Sequence, residues 1–218
     1  MKKWYVQLIR KGAEKRMEHI FIPGKNNNLA PLLLLHGTGG DEKSLVEIAE
    51  FINSDAAVLS LRGDIKEGGA NRFFKRFHDG SLDLEDLELK TAELIKTTRE
   101  LAEQYQLDFE RMIAVGYSNG ANIAANALLQ AEDSFHKAIL FHAMPAGNKQ
   151  PEFSISHRNV FLSAGLNDPL ITAKASEELV EILEKRGAKV ETVWTAAGHS
   201  LTMEELEEAK KWYQNNQK

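Results

Sequence analysis

The apolar positions of this chain follow two alternating periods. Short continuous apolar runs read as strands. Between them lie longer stretches in which apolar residues return every third or fourth position, the pattern of helices laid on a sheet. Glu18-His19-Ile20-Phe21-Ile22-Pro23 reads as an opening strand, closed by Pro23-Gly24, with Asn26-Asn27-Asn28 as a turn. Leu32-Leu33-Leu34-Leu35 lies between Pro31 and Gly37 and is apolar on both faces. That is expected of a strand buried inside a parallel sheet. Behind its glycine-rich exit, Leu45, Ile48, Ala49 and Ile52 share one helical face, with Asp41 as a candidate N-cap. Ala56-Ala57-Val58-Leu59-Ser60-Leu61 is the next strand. Residues 62–81 lose all periodicity and read as a long irregular segment, of a length that usually serves a function.

Asp83 opens a long helix with Leu87, Thr91, Leu94, Ile95, Thr98, Leu101, Ala102 and Tyr105 on one face. Met112-Ile113-Ala114-Val115 is a strand that turns through Gly116-Tyr117-Ser118-Asn119-Gly120 into a helix of small residues. Residues 137–142 and 159–165 read as strands, separated by a loop over 143–158. A helix is expected from about Thr172 to Arg186, with Gly187 at its C-terminal cap, followed by a strand over 189–194. The final helix carries a capping box, Thr202 with Glu205, and a staple, Leu201 with Leu206. Leu206, Ala209, Trp212 and Tyr213 form its inner face.

Strands therefore alternate with helices throughout, which predicts the α/β class: a mostly parallel central sheet with helices on both faces. Without repeats, low-complexity tracts or linkers, residues 17–218 are expected to form a single domain with no separate lid domain. Residues 1–16 are basic and precede a second methionine, Met17, so they read as an N-terminal extension or an extra strand.

Composition narrows the function. A net charge of −5 argues against an electrostatic nucleic-acid binder. No apolar run approaches a membrane span, and the start lacks the apolar core of a signal peptide, so a cytoplasmic protein is expected. The absence of cysteine excludes disulfides, thiolate metal sites and a cysteine nucleophile. No pair of histidines has metal-ligand spacing, so neither a zinc site nor any other cofactor is expected. Gly37-Thr38-Gly39-Gly40 lacks the Lys-Ser/Thr of a phosphate loop.

The chemistry follows from the strand exits, where ligands bind in open α/β sheets. Gly116-x-Ser118-x-Gly120 between a strand and a helix has the form of a nucleophile elbow. A serine needs a base, and the base needs a carboxylate to fix its tautomer. Asp168 and His199 each stand just past a strand, in the chain order Ser, Asp, His. The oxyanion would be held by the backbone N–H groups of Asn119 and Thr38, with the positive end of the following helix adding to the site. His36 is expected to hold the oxyanion loop. His19, His78, His136, His142 and His157 read as surface or core residues without a catalytic partner at a strand exit. The phenylalanines and arginines of 72–77 suit a pocket wall, a small core under the loop or a homodimer contact equally well.

These residues resemble the phospholipase/carboxylesterase family of the α/β-hydrolase superfamily. It is related to acyl-protein thioesterases and dienelactone-hydrolase-like proteins. The resemblance rests on Leu35 to Glu42, Leu61-Arg62-Gly63, Arg72-Phe73-Phe74, Gly116 to Asn122, Asp168 and Gly198-His199. It spans essentially residues 17–214 and is similar in particular to small bacterial carboxylesterases. It implies an α/β-hydrolase fold with a shallow open site and Ser118, Asp168 and His199 as the triad. It also implies Thr38 and Asn119 as oxyanion donors, with Arg62, Glu67, Arg72, Phe73 and Phe74 bordering the pocket. The substrate is expected to be a small-molecule ester, with no nucleic-acid or membrane partner. A ligand sensor on this scaffold, or an acyltransferase or perhydrolase with the same triad, are the alternatives. Dienelactone hydrolases proper carry cysteine where Ser118 stands.

Overall fold

The computed structural model describes residues 17–147 and 153–217. Its strands are β1 (His19–Ile22), β2 (Leu32–Leu35), β3 (Val58–Leu61), β4 (Ile65–Glu67), β5 (Ala70–Arg72), β6 (Ile113–Tyr117), β7 (Lys137–Phe141), β8 (Asn159–Gly165) and β9 (Lys189–Thr195). Its helices are α1 (Val46–Asn53), α2 (Leu84–Tyr105), α3 (Asn119–Gln130), α4 (Ala173–Lys185) and α5 (Met203–Asn215). The reading of residues 1–16 as an extension or extra strand lies outside the described residues, as does the middle of the 143–158 loop.

Seven strands form one sheet in the order β1-β3-β2-β6-β7-β8-β9. Only β1 runs antiparallel to its neighbour, β3; all other pairs in that sheet are parallel. The leucine run of β2 explains the layering. Successive side chains point to opposite faces. Leu32 and Leu34 enter a core with Val46 and Ile52 of α1 and Trp212 and Tyr213 of α5. Leu33 and Leu35 enter another with Leu87, Leu94 and Leu101 of α2, Ile123 and Leu128 of α3 and Leu179 of α4. Both faces of β2 are dry, so all four leucines are fully buried. At the sheet edge, β9 instead exposes Lys189 and Glu191, charges that discourage pairing with another chain. No helix among the described residues is long and apolar enough to cross a membrane.

Two local expectations are corrected. Residues 62–81 are not wholly irregular: β4 and β5 form an antiparallel ribbon. Its turn is Gly68-Gly69, with φ of 55° and 90°, the sign a tight hairpin needs. The strands are too short and too polar (Lys66, Glu67, Asn71, Arg72) to leave an alternating signal. Asp41 does not cap α1, whose first turn lies farther along. Its carboxylate instead closes a turn, accepting from the Lys43 N–H and the Ser44 hydroxyl. The expected box of Thr202 with Glu205 forms, and Asp83, expected to open α2, caps it by accepting from the Asp86 N–H.

From β2 the chain steps to β3 on one side, then returns past β2 to lay β6 on the other. The crevice between the carboxyl ends of β2 and β6 is therefore the topological switch point, where such sheets bind ligands. The residues after these two strands are His36 and Ser118. Helix α3, which begins beyond Ser118, is pinned at its far end by Arg158. That fully buried guanidinium donates to the carbonyls of Ala131 and Glu132, both at 2.8 Å. A cation there complements the helix dipole.

Candidate active site

Ser118 sits at φ 52° and ψ −113°, a conformation that residues with a side chain rarely adopt. Its neighbours enforce it. The Ser118 N–H donates to Phe141 O (2.9 Å), and its carbonyl accepts from the Asn122 N–H (2.9 Å). A Cβ on Gly120 would stand 2.0 Å from Leu35 O, so only glycine lets α3 pass that close to β2. A Cβ on Gly116 would meet the Ala121 Cα at 2.6 Å. The turn thus thrusts the hydroxyl out of the sheet edge, half-exposed.

The three residues expected to act together do meet. His199 Nε2 lies 3.0 Å from Ser118 Oγ, and its Nδ1 lies 2.6 Å from Asp168 Oδ2. The second oxygen of Asp168 accepts from the N–H groups of Leu170 (2.8 Å) and Ile171 (3.0 Å). Burial alone would push this carboxyl up. The donors, Ile171 N–H and His199 foremost, outweigh it and hold the group down at about 2, against an ordinary 3.8. Asp168 is therefore a carboxylate at any working pH. The Tyr117 hydroxyl donates to the His199 carbonyl (2.5 Å), fixing the backbone behind the imidazole.

Thr38 and Asn119 flank Ser118 from the β2 exit and the first turn of α3. Among the described residues no hydrogen bond occupies either backbone N–H. The β4–β5 ribbon and the segment after it hold this loop in place. Arg72 Nη1 donates to Thr38 Oγ1 (2.7 Å), the Asn71 amide donates to Gly40 O (2.6 Å), and the Gly39 N–H donates to Asn71 O (2.9 Å). The Phe73 N–H donates to Asn119 Oδ1 (2.8 Å).

Of the residues expected at the pocket border, Arg72, Phe73 and Phe74 are buried, and both rings belong to the core under α2 and α3. Arg62 reaches Glu42 at 2.5 Å and Glu18 at 2.6 Å, and Glu67 pairs with Arg72 (3.1 Å) and Arg76 (2.6 Å). An open cleft of about 360 Å³ borders the loop after β2, lined by Gly37, Thr38, Leu45, Ile48, Tyr117 and Leu201 among others. Its lining carries no charged side chain.

His36 holds the loop as expected: it is buried, its Nε2 accepts from the Gly63 N–H (3.0 Å), and its Nδ1 donates to Gly37 O (2.6 Å). His142 is the correction. Sequence alone makes it a surface or core residue with no partner at a strand exit; in the structure it follows β7 directly and is fully buried between two carboxylates. Its Nδ1 is 3.0 Å from Asp168 Oδ2. Its Nε2 is 3.0 Å from Glu205 Oε1, an ion-pair approach off the line of a straight hydrogen bond. Position alone would have found it, since Ser118 and His36 also directly follow their strands. Its partners lie far along the chain, so no local spacing links them.

His142, Asp168 and His199 bring ligand-type atoms within 4.8 Å of one another. Asp168 Oδ2 is already shared between the two imidazoles. Both Nδ1 atoms are thereby engaged by the same carboxylate oxygen.

The chain from 78 to 217 matches the model of the dienelactone hydrolase family. It is 45% identical over 199 residues to a Bacillus subtilis (strain 168) protein named "Putative hydrolase MhqD", covering 90% of this chain and 98% of that one. Among solved structures it is similar to the Bacillus cereus carboxylesterase, at 44% identity and a TM-score of 0.89, over 92% of this chain and 94% of the other. It is also similar to YahD, solved with malic acid, at 42% identity and a TM-score of 0.86, over 92% and 99%.

Proposed function

The chain belongs to the dienelactone hydrolase family, and from that premise we propose that it is a serine carboxylesterase, hydrolysing small uncharged carboxylic esters or thioesters through an acyl-enzyme on Ser118. The observation that carries this reading is the unbroken run of contacts from Ser118 Oγ through His199 to Asp168, at 3.0 and 2.6 Å.

Ser118 Oγ attacks the ester carbonyl as its proton passes to His199 Nε2. The oxyanion that forms is held by the free N–H groups of Thr38 and Asn119, at the positive end of α3. His199 returns the proton to the departing alcohol or thiol. Water then attacks the acyl carbonyl, His199 takes its proton, and collapse releases the acid and restores the Ser118 hydroxyl. Throughout, Asp168 keeps Nδ1 protonated, so that Nε2 is the nitrogen that takes up and returns each proton. The uncharged lining of the neighbouring cleft offers no counter-charge to a substrate, which favours substrates without charge near the scissile bond.

The test is hydrolysis of p-nitrophenyl esters from acetyl to octanoyl by wild type and Ser118→Ala. Turnover should be strongest on the short acyl groups and fall by several orders of magnitude in the variant. A variant within tenfold of wild type would remove Ser118 from the mechanism.

A further inference from the structure

Behind the triad lies a second layer of charge that ester hydrolysis does not itself require. His142 is enclosed by β7, β8, the β9 exit and α5. The titratable groups facing it are Asp168, Glu205, Tyr117 and His199. The Asp168 and Glu205 oxygens each stand 3.0 Å from a ring nitrogen. The His199 and Tyr117 rings lie edge-on, with centroids 5.2 and 5.8 Å away. Glu205 is fully buried and anchored: one oxygen accepts from the Ser163 hydroxyl (2.7 Å), the other from the Thr202 N–H (2.8 Å).

A neutral imidazole has one N–H and one lone pair. Here both nitrogens face anionic oxygens, so a neutral ring would press its lone pair against a buried carboxylate. The imidazolium gives Asp168 a donor at Nδ1 and sets a positive charge beside Glu205. Charge counting agrees, because two buried carboxylates without a cation between them would be costly. Burial opposes the charge, yet the contacts to Glu205 and Asp168 outweigh it and raise the proton affinity of His142 above the ordinary 6.5.

We propose that His142, held as an imidazolium between Asp168 and Glu205, is a positioning residue that sets the basicity of His199 by sharing the Asp168 carboxylate. The inference rests on the esterase reading of the site. Its physical content is a balance. Asp168 alone would favour the protonated form of His199, and a positive charge on the far side of Asp168 offsets part of that pull. The base then works at a lower pH than an isolated Asp–His pair would allow. The backbone marks the position too: His142 has φ 52°, and its N–H donates to Ser163 O (2.8 Å), which locks the ring into the gap.

His142→Asn is the informative substitution. Asparagine tolerates positive φ, and its amide can still donate to Asp168, so the variant removes charge while keeping the orienting bond. The acid limb of the kcat/KM profile on p-nitrophenyl acetate should move up by about one pH unit, the scale of one nearby charge seen through protein and water. His142→Asn with Glu205→Gln removes one positive and one negative charge together, and the limb should return toward its wild-type position. A merely structural His142 would lower stability and leave the limb in place, and that result overturns the proposal.

A second measurement needs no turnover. Nitrogen-15 spectra of imidazole-labelled wild-type protein should show both His142 nitrogens protonated at pH 7.5; a neutral ring also overturns the proposal, even if His142→Asn fails to fold. A doubly protonated His142 in a protein without Ser118-dependent ester turnover would instead sink the esterase reading and leave the charge layer standing.

Discussion

Two buried histidines stand on opposite flanks of Ser118, each directly beyond its strand, and their surroundings make them opposites. His36, after β2, is bonded on both nitrogens to backbone: one accepts from Gly63 N–H and the other donates to Gly37 O. It must be neutral to do both, and burial lowers its proton affinity below 6.5. His142, after β7, meets carboxylates on both nitrogens and is held charged. The difference matches what each flank does. In the proposed mechanism the His36 flank would offer N–H groups to a developing negative charge, and a neutral ring bracing that loop leaves those donors unopposed. The same mechanism would move a proton on the other flank, the base flank, where the charges are gathered. Similar residues at similar positions thus sit in opposite electrostatic surroundings.

The largest break in this contrast comes from Asp168, which both imidazoles of the base flank share. Asp168→Asn should lower kcat by about four orders of magnitude, as loss of the orienting carboxylate does in measured triads. Steady-state kinetics with a retained circular dichroism spectrum checks it. On the other flank, His36→Phe keeps volume but leaves the buried Gly63 N–H without an acceptor. Denaturant unfolding should show a loss of about 2 kcal/mol, with the acid limb of activity unmoved. A shifted limb would show that the His36 flank is electrically coupled to the base after all.

The stability–pH curve should carry both signs. His36 has a lowered folded value, so its contribution is complete above 6.5 and is lost as pH falls through the folded value. His142 has a raised one, so its contribution is complete below 6.5 and is lost as pH rises through the folded value. Asp168, held down at about 2 against 3.8, adds about 2 kcal/mol above the unfolded value, and this disappears as pH drops from about 4 to 2. Melting temperatures across pH for wild type and His142→Asn test the sign: the variant's curve should be flatter on the alkaline side only.

The smallest effect is expected at Arg72, whose guanidinium braces Thr38. Arg72→Met should reduce kcat less than tenfold, since the Asn71 and Gly39 bonds still hold the loop. A loss approaching that of Asp168→Asn would make Arg72 a partner of the substrate rather than of the loop.

Much of this was legible in the chain. The leucine run of β2, the small residues around Ser118, the Asp83 cap and the Thr202–Glu205 box are local patterns, set by side-chain size and hydrogen bonding within a few residues. They gave the alternation of strands and helices, and with it the carboxyl edge at which Ser118, Asp168 and His199 would meet. The β4–β5 ribbon was hidden because its strands are short and polar and its stability comes from contacts with the loop it clamps. Phe73 and Phe74 could not be assigned to pocket or core from sequence, because burial depends on what α2 and α3 bring over them.

The sequence by itself determined the class of fold, the strand–turn–helix corner at Ser118 and the strand exits at which Asp168 and His199 stand, because periodicity, glycine placement and strand-exit position are properties of neighbouring residues. Only the tertiary structure decided the charge states of His36 and His142. A histidine's proton is governed by the atoms within about 3 Å of its nitrogens, and for His142 those atoms arrive on the loop after β8 and on α5. Glu205 shows the same limit: its local role as a cap was readable, and its second role opposite His142 exists only once α5 has packed against the sheet.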